Sequence, residues 1–115
     1  MKTILLTLLL AGTITLGFGQ KQPPVIDTII TSAICGDCKA RIEEKLNFTK
    51  GIIYAEQNLQ TKELVVKYKP NKISKEEILK LISLVGYAAD DVPADKKAYE
   101  ELPKCCQSGG HPHGK

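Results

Sequence analysis

Two cysteines three residues apart, Cys35 and Cys38, lie where a β-rich stretch gives way to a helical pattern. Their thiols can converge on one soft metal ion or join in one disulfide. A helix that begins at Gly36 or Asp37 would direct its first N–H groups and its positive dipole end at the sulfurs, which lowers thiol pKa values. The motif alone leaves three interpretations open: a metal clamp, a redox dithiol or a small structural disulfide.

The order of β-rich and helical segments around this junction predicts the fold. Runs of β-branched residues predict strands, and apolar residues four apart on a polar background predict helices. Strands are expected at 25–31, 52–58 and 63–68, with a short fourth strand at 87–89. One helix is expected from Asp37 to near Phe48. The other is expected to begin at a capping box formed by Ser74 and Glu77 and to end at Gly86. The order β-α-β-β-α-β predicts a ferredoxin-like α+β fold, a four-stranded antiparallel sheet with two helices on one face.

The first 19 residues have the pattern of a signal peptide. Lys2 supplies a short positive region, residues 4–10 form an apolar core, and Gly17 and Gly19 are the small residues of a cleavage site before Gln20. The apolar run is shorter than the about 20 residues that a membrane span needs, although an uncleaved anchor is the alternative. We therefore expect an exported protein, periplasmic or secreted, cleaved near Gly19/Gln20.

Composition limits the remaining function classes. Cleavage would leave roughly 95 residues, enough for one small domain whose stability a metal or disulfide would noticeably raise. The 16 basic and 13 acidic residues of the full chain are interspersed, so we expect no nucleic-acid partner. No nucleophile–base pair, paired carboxylates, glycine-rich phosphate loop or H-E-x-x-H is present, and we predict no enzyme.

The C-terminal end concentrates further metal-binding residues. We divide the chain into a signal peptide (1–19), a flexible lead-in (20–24), the domain (25–92) and a C-terminal extension (93–115), with a short helix predicted at 94–102. Half of the cysteines and both histidines of the chain fall in this extension: Cys105, Cys106, His111 and His113. They predict a second soft-metal site or extra ligands that fold back over the first. The alternative is a tail whose cysteines form disulfides with the first pair.

Several motifs recur at a spacing that is characteristic of one family. They are Cys35-x-x-Cys38, the Ile42/Leu46 stripe, Gly51-Ile52, Leu64-Val65-Val66-Lys67-Tyr68, the Ile78/Ile82 helix and Gly86-Tyr87. From about Val25 to Ala89 the chain resembles the heavy-metal-associated domain family, which includes copper chaperones, metal-binding modules of copper-exporting ATPases and periplasmic mercury-binding proteins. The resemblance implies the fold above, a soft metal held by both loop cysteines, and a position of Tyr87 facing that site. Without the resemblance, Tyr87 would fit equally well as an aromatic residue of the core.

The loop departs from the family pattern at two positions. The family usually has Met two residues before the first cysteine and a polar residue just before it, where this chain has Ala33 and Ile34. We expect Ala33 to loosen the loop without removing metal binding. Thioredoxin-like enzymes normally have an aromatic residue before the first cysteine and Pro between the two, and neither is present here.

We expect Cys35 and Cys38 to bind Cu(I), with Hg(II), Zn(II) or Cd(II) as other soft ions. Two sulfurs leave an ion under-coordinated, so it can pass to a partner through shared ligands. The expected partner is a metal-transporting membrane protein or another metal-binding domain, and the chain would be a monomer or a metal-bridged dimer. The predicted function is metal carriage, chaperoning or sequestration. The alternatives are a thiol–disulfide redox protein using the same pair, a mercury-binding detoxification protein, and an interaction module stabilised by disulfides.

Overall fold

The computed structural model describes residues 22–107. The predicted signal peptide lies outside the described residues, and so do His111 and His113. In the part that is described, no helix combines the length and apolarity needed to cross a membrane.

An antiparallel sheet carries the helices that bring the cysteines together. The elements in chain order are β1 (Val25–Ile30), α1 (Gly36–Asn47), β2 (Ile52–Gln57), β3 (Glu63–Tyr68), α2 (Lys75–Val85), α3 (Lys96–Glu100) and a 3₁₀ helix (Lys104–Cys106). The strand order is β1-β3-β2, so β3 is central and pairs with both neighbours. This arrangement, with two long helices over one face, confirms the predicted ferredoxin-like fold.

The core lies between the sheet and the two long helices. In β1 and β3, Ile29 stands opposite Leu64, and both side chains are buried. Ile42 of α1 and Ile78 of α2 complete the same cluster. Alternate residues of β1 point to the other face, where Ile26 is 56% exposed, because side chains alternate between the faces of a strand.

The predicted fourth strand at 87–89 is reduced to a single bridge. Ala89 pairs antiparallel with Thr31, just beyond the end of β1. Two backbone hydrogen bonds extend this contact: Ser32 N donates to Ala88 O and Asp90 N donates to Ile30 O. The pairing stops because Asp90 has a positive φ of 51° and the chain turns back so that Ala89 also pairs with Val92. The segment thus occupies the place of a fourth strand beside β1.

The ends of α2 follow the predicted signals. The Ser74 side chain accepts a hydrogen bond from Glu77 N (3.1 Å), and Ser74 N donates to the Glu77 carboxylate (2.8 Å), which closes the capping box. Gly86 caps the C-terminus with φ 118°, a left-handed conformation that a residue with a Cβ rarely adopts.

The C-terminal extension folds back onto this end of α2. Ser83 Oγ donates to Pro93 O (2.8 Å), and Asp95 N donates to Ser83 O (3.0 Å). Asp95 then caps α3 by accepting from Ala98 N (3.0 Å). Leu102 is only 6% exposed. The chain after α3 is thereby directed toward the loop that contains the first cysteine pair.

Candidate functional site

The first cysteine pair lies at the start of α1. Cys35 is the N-cap residue in an extended conformation, and Lys39 N donates to Cys35 O (3.0 Å) to begin the helix. The Sγ atoms of Cys35 and Cys38 are 3.1 Å apart. Cys38 is fully buried, whereas Cys35 is partly exposed. As predicted, the helix begins at Gly36, so its N-terminal dipole end lies beside the two sulfurs.

Hydrogen bonds from three side chains, those of Thr31, Gln57 and Lys62, hold the loop before Cys35. Ala33 is fully buried; its N–H donates to Thr31 Oγ1 (3.2 Å) and its carbonyl accepts from Lys62 Nζ (3.0 Å). The Thr31 hydroxyl donates in turn to Gln57 Oε1 (2.7 Å), a bond between two buried side chains. Nothing in the sequence marks Thr31, Gln57 and Lys62 as supports of the loop, because no periodic pattern indicates a long-range polar pair.

The structure brings the C-terminal cysteines to the same place. Cys106 Sγ lies 3.2 Å from Cys35 Sγ, and Cys105 Sγ lies 3.8 Å from Cys35 Sγ and 3.9 Å from Cys106 Sγ. Cys106 is 1% exposed, whereas Cys105 is exposed and also lies 3.7 Å from a carboxylate oxygen of Asp37. All four cysteines of the chain are within the described residues, and none is in a disulfide. The described part of the extension therefore folds back over the first site; that its cysteines bind metal there stays a prediction.

Three of the thiols, those of Cys35, Cys105 and Cys106, have pKa values that are shifted in different directions by their surroundings. Burial raises the pKa of Cys35, but hydrogen bonds from the thiols of Cys38, Cys106 and Cys105 outweigh it, and the pKa falls from 9.0 to about 7. Burial raises the pKa of Cys106 well above its usual value, and its bonds to Cys35 and Cys38 add to that effect. The bond to Cys35 likewise raises the pKa of Cys105. Cys35 is therefore the thiol that ionises first among these three.

Tyr87 closes the inner side of the cluster. Its side chain is fully buried and its hydroxyl faces Cys38 and Cys106. Burial, with a further contribution from these two sulfurs, raises the pKa of Tyr87 far above its usual value, so the hydroxyl stays protonated. Yet within residues 22–107 no acceptor meets normal hydrogen-bond geometry for it. A buried unsatisfied hydroxyl costs about 1–3 kcal/mol, and a thiolate formed at either sulfur would be an acceptor for it.

This set of donors fits a soft metal ion. Thiolate sulfur selects soft ions such as Cu(I), Hg(II) and Cd(II), and also binds Zn(II). Cys35, Cys105 and Cys106 place their sulfurs within 4.8 Å of one another, and Cys38 adjoins Cys35. The unsatisfied Tyr87 hydroxyl adds a donor that can stabilise a bound thiolate.

Known proteins are similar to the region that contains the first cysteine pair. The family model for the heavy-metal-associated domain matches residues 29–88. A copper-exporting P-type ATPase of Staphylococcus epidermidis is 34% identical over 71 residues, which are 62% of this chain and 9% of the ATPase. The chain therefore spans less than a tenth of that relative's length.

Solved structures share the fold. The CopZ metallochaperone has a TM-score of 0.55 at 26% identity, over 56% of this chain and 98% of that chain. Oxidized MerP from Ralstonia metallidurans CH34 has a TM-score of 0.56 at 17% identity, over 59% of this chain and 96% of that chain, a likeness of fold alone. The family match includes Cys35, Cys38 and Tyr87 but ends before Cys105 and Cys106.

Proposed function

The chain belongs to the heavy-metal-associated domain family, and on that premise we propose that it binds a soft metal ion, Cu(I) before others, through Cys35 and Cys38. The observation that carries the proposal is the pair of sulfurs 3.1 Å apart at the N-terminus of α1. The protein is homologous to the metal-binding domains of copper-transporting ATPases, and it has the cysteine cluster that such binding requires. Domains of this family are metal-binding and non-catalytic, which supports metal binding as the first candidate function.

Each cysteine of the pair has a distinct part in binding. Cys35 is partly exposed and has the lowered pKa, so its thiolate meets an incoming ion first. Cys38 is buried on the first turn of the helix and holds the ion from the inside. The helix N-terminus stabilises the negative charge on both sulfurs. The backbone of Ala33, through its bonds to Thr31 and Lys62, holds the loop in place although the alanine side chain is small.

Export and a protein partner are part of the same proposal. The signal-peptide pattern of residues 1–19 supports export to a periplasm or to the outside. A metal-transporting membrane protein or another metal-binding domain would exchange the ion through shared thiolates, with carriage, chaperoning or sequestration as the result. Arg41 is exposed on α1 and supplies a charge that would steer such a partner, whereas the Lys39 ammonium is already paired with Glu43 and the Gln57 carbonyl.

The decisive experiment is an anaerobic Cu(I) titration of the reduced protein against a colorimetric Cu(I) chelator. The matched control is Cys35→Ser/Cys38→Ser, which preserves side-chain size and removes both sulfurs. We expect the wild-type protein to withdraw Cu(I) from the chelator and the double variant to bind at least about 100-fold more weakly. A wild-type protein that cannot compete, or a variant that competes equally well, would contradict the proposal.

A redox function is the second candidate, and the acidity of Cys35 favours it. A thiol with a pKa of about 7 is well suited to attack a disulfide at neutral pH. Cys38 and Cys106 Sγ, at 3.1 and 3.2 Å from Cys35 Sγ, are both placed to resolve the mixed disulfide. Catalytic turnover of a test disulfide with glutathione as reductant, lost in Cys35→Ser, would favour the redox function over metal carriage.

A further inference from the structure

We propose that Cys105 and Cys106 complete the metal site, so that four sulfurs hold the ion and the protein retains it instead of exchanging it readily. This inference rests on the proposed function because it concerns the same site. It goes beyond that function because both cysteines lie outside the region that matches the family.

The sulfur positions match a shared site. Around Cys35 Sγ, the sulfurs of Cys38, Cys106 and Cys105 lie at 3.1, 3.2 and 3.8 Å, and the last two are 3.9 Å apart. Two sulfurs bound to one ion at about 2.3 Å in a tetrahedral site are separated by about 3.8 Å. These four distances differ from the tetrahedral value by less than about 1 Å. The sulfurs of Cys35, Cys105 and Cys106 all lie within 4.8 Å of one another, whereas Cys38 lies outside that group and would move toward it when an ion binds.

Packing, and not the sulfurs alone, positions the extension. Gly86 has no side chain, and a Cβ there would lie 3.0 Å from Leu102 Cδ1 and 3.1 Å from Ala98 O. Leu102 is therefore seated directly against the end of α2. Gln107 Nε2 donates to Leu102 O (3.1 Å), and Cys106 N donates to Pro103 O (2.8 Å). Because contacts between protein groups position the extension, little conformational entropy remains to be lost when its cysteines bind an ion.

The number of sulfurs determines how readily the ion leaves. Two thiolates leave an ion open to a partner's ligands, whereas four close the site. Of the two added sulfurs, that of Cys106 is buried and that of Cys105 is exposed. A competing ligand thus displaces Cys105 first and must still displace a buried sulfur, which slows release.

Charge also limits what a four-sulfur site accepts. Four thiolates around one Cu(I) carry a net charge of −3, whereas one divalent ion or two Cu(I) ions reduce it to −2. Because uncompensated buried charge is costly, the site favours a divalent soft ion or a pair of Cu(I) ions that share sulfurs. The Tyr87 hydroxyl, which faces two of the sulfurs, can donate to one of the thiolates.

Cadmium titration tests the number of sulfurs directly. Thiolate-to-Cd(II) absorption grows with the number of Cd–S bonds, and the cadmium NMR shift reports the sulfur count independently. We expect the Cys105→Ser/Cys106→Ser variant to have about half the wild-type absorption per ion. We also expect excess chelator to remove the ion at least about 10-fold faster from it, since even losing an outer-shell partner costs about 10–100-fold.

The single variant Cys105→Ser is the control for the possibility that the double variant loses metal because it is misfolded. Cys105 is exposed, so this change leaves the core intact while removing one sulfur, and the absorption should fall by about a quarter. Equal absorption, NMR shift and removal rate in wild type and both variants would overturn the four-sulfur site while leaving the two-cysteine function in place. A wild-type protein that binds neither Cd(II) nor Cu(I) tightly would overturn the proposed function, and this inference with it.

Discussion

Replacing Gly86 by Ala should uncouple the C-terminal cysteines from the site. Gly86 has φ 118°, which costs a residue with a Cβ about 1–3 kcal/mol. The new methyl group would also lie 3.0 Å from two atoms of Leu102, whose burial contributes about 1.5–3 kcal/mol. The backbone carbonyl of Ala98 is also only 3.1 Å away, so the methyl group can be accommodated only if Leu102 or α3 moves.

We expect Gly86→Ala to lower the free energy of unfolding by at least about 2 kcal/mol, a fall in Tm of about 8–16 °C for a domain of this size. Movement of Leu102 should also expose Cys106, which is 1% exposed in the native fold. Thermal unfolding followed by circular dichroism measures the first effect. The rate at which a thiol reagent labels Cys106, identified by mass spectrometry of the peptide, measures the second.

Gly36→Ala is the matched control. A Cβ at Gly36 would meet no atom within 4 Å, and this glycine is the first residue of α1. The same substitution there should leave stability unchanged or raise it by up to about 1 kcal/mol. If Gly86→Ala unfolded at the wild-type temperature and left Cys106 as protected as before, the seating of Leu102 against Gly86 would not be what positions the extension.

Three further changes test single groups. Tyr87→Phe should leave the stability of the metal-free protein unchanged or raise it by about 1 kcal/mol, because the hydroxyl is buried without a partner among the described residues. The same change should speed Cd(II) release; release at the wild-type rate would show that the hydroxyl does not donate to a bound thiolate. Iodoacetamide should alkylate Cys35 with a midpoint near pH 7; a midpoint near pH 9 would contradict its lowered pKa. Burial, and then the hydrogen bond to Asp27, raises the pKa of Tyr68 from 10.0 to about 12. The stabilisation that this gives below pH 10 should therefore be lost between pH 10 and 12, which lowers the free energy of unfolding by about 2–3 kcal/mol. Tyr68→Phe should not show this loss when stability is measured by denaturant titration at alkaline pH.

The parts of the fold that the sequence predicted are those that depend on local signals. The Ser74–Glu77 capping box and Gly86 mark both ends of α2 within the segment itself. The stripe of Cys38, Ile42 and Leu46 likewise marks the buried face of α1. Such signals need no knowledge of distant residues.

The fourth strand and the position of the extension required information that local patterns do not contain. The left-handed turn at Asp90 ends the pairing of residues 87–89, and Asp90 is not a residue whose type alone forces such a turn. Cys105 and Cys106 reach Cys35 because Leu102 packs against Gly86, a contact between residues far apart in the sequence. From the sequence, a separate second site, extra ligands over the first site and disulfides with the first pair were all possible, and only the three-dimensional contacts show that Cys105 and Cys106 lie beside Cys35 as free thiols.

The family region and the extension affect metal exchange in opposite directions. The start of α1 supplies a pair of sulfurs that is open on the side of Cys35, and this openness suits transfer between domains. The extension covers that same side, because Cys106 Sγ lies 3.2 Å and Cys105 Sγ 3.8 Å from Cys35 Sγ. Partner thiolates therefore meet the exposed Cys105 before they reach Cys35. If the proposed metal site is correct, the docking strength of residues 96–107, and not the Cys-x-x-Cys loop alone, would determine whether the protein passes its ion on or keeps it.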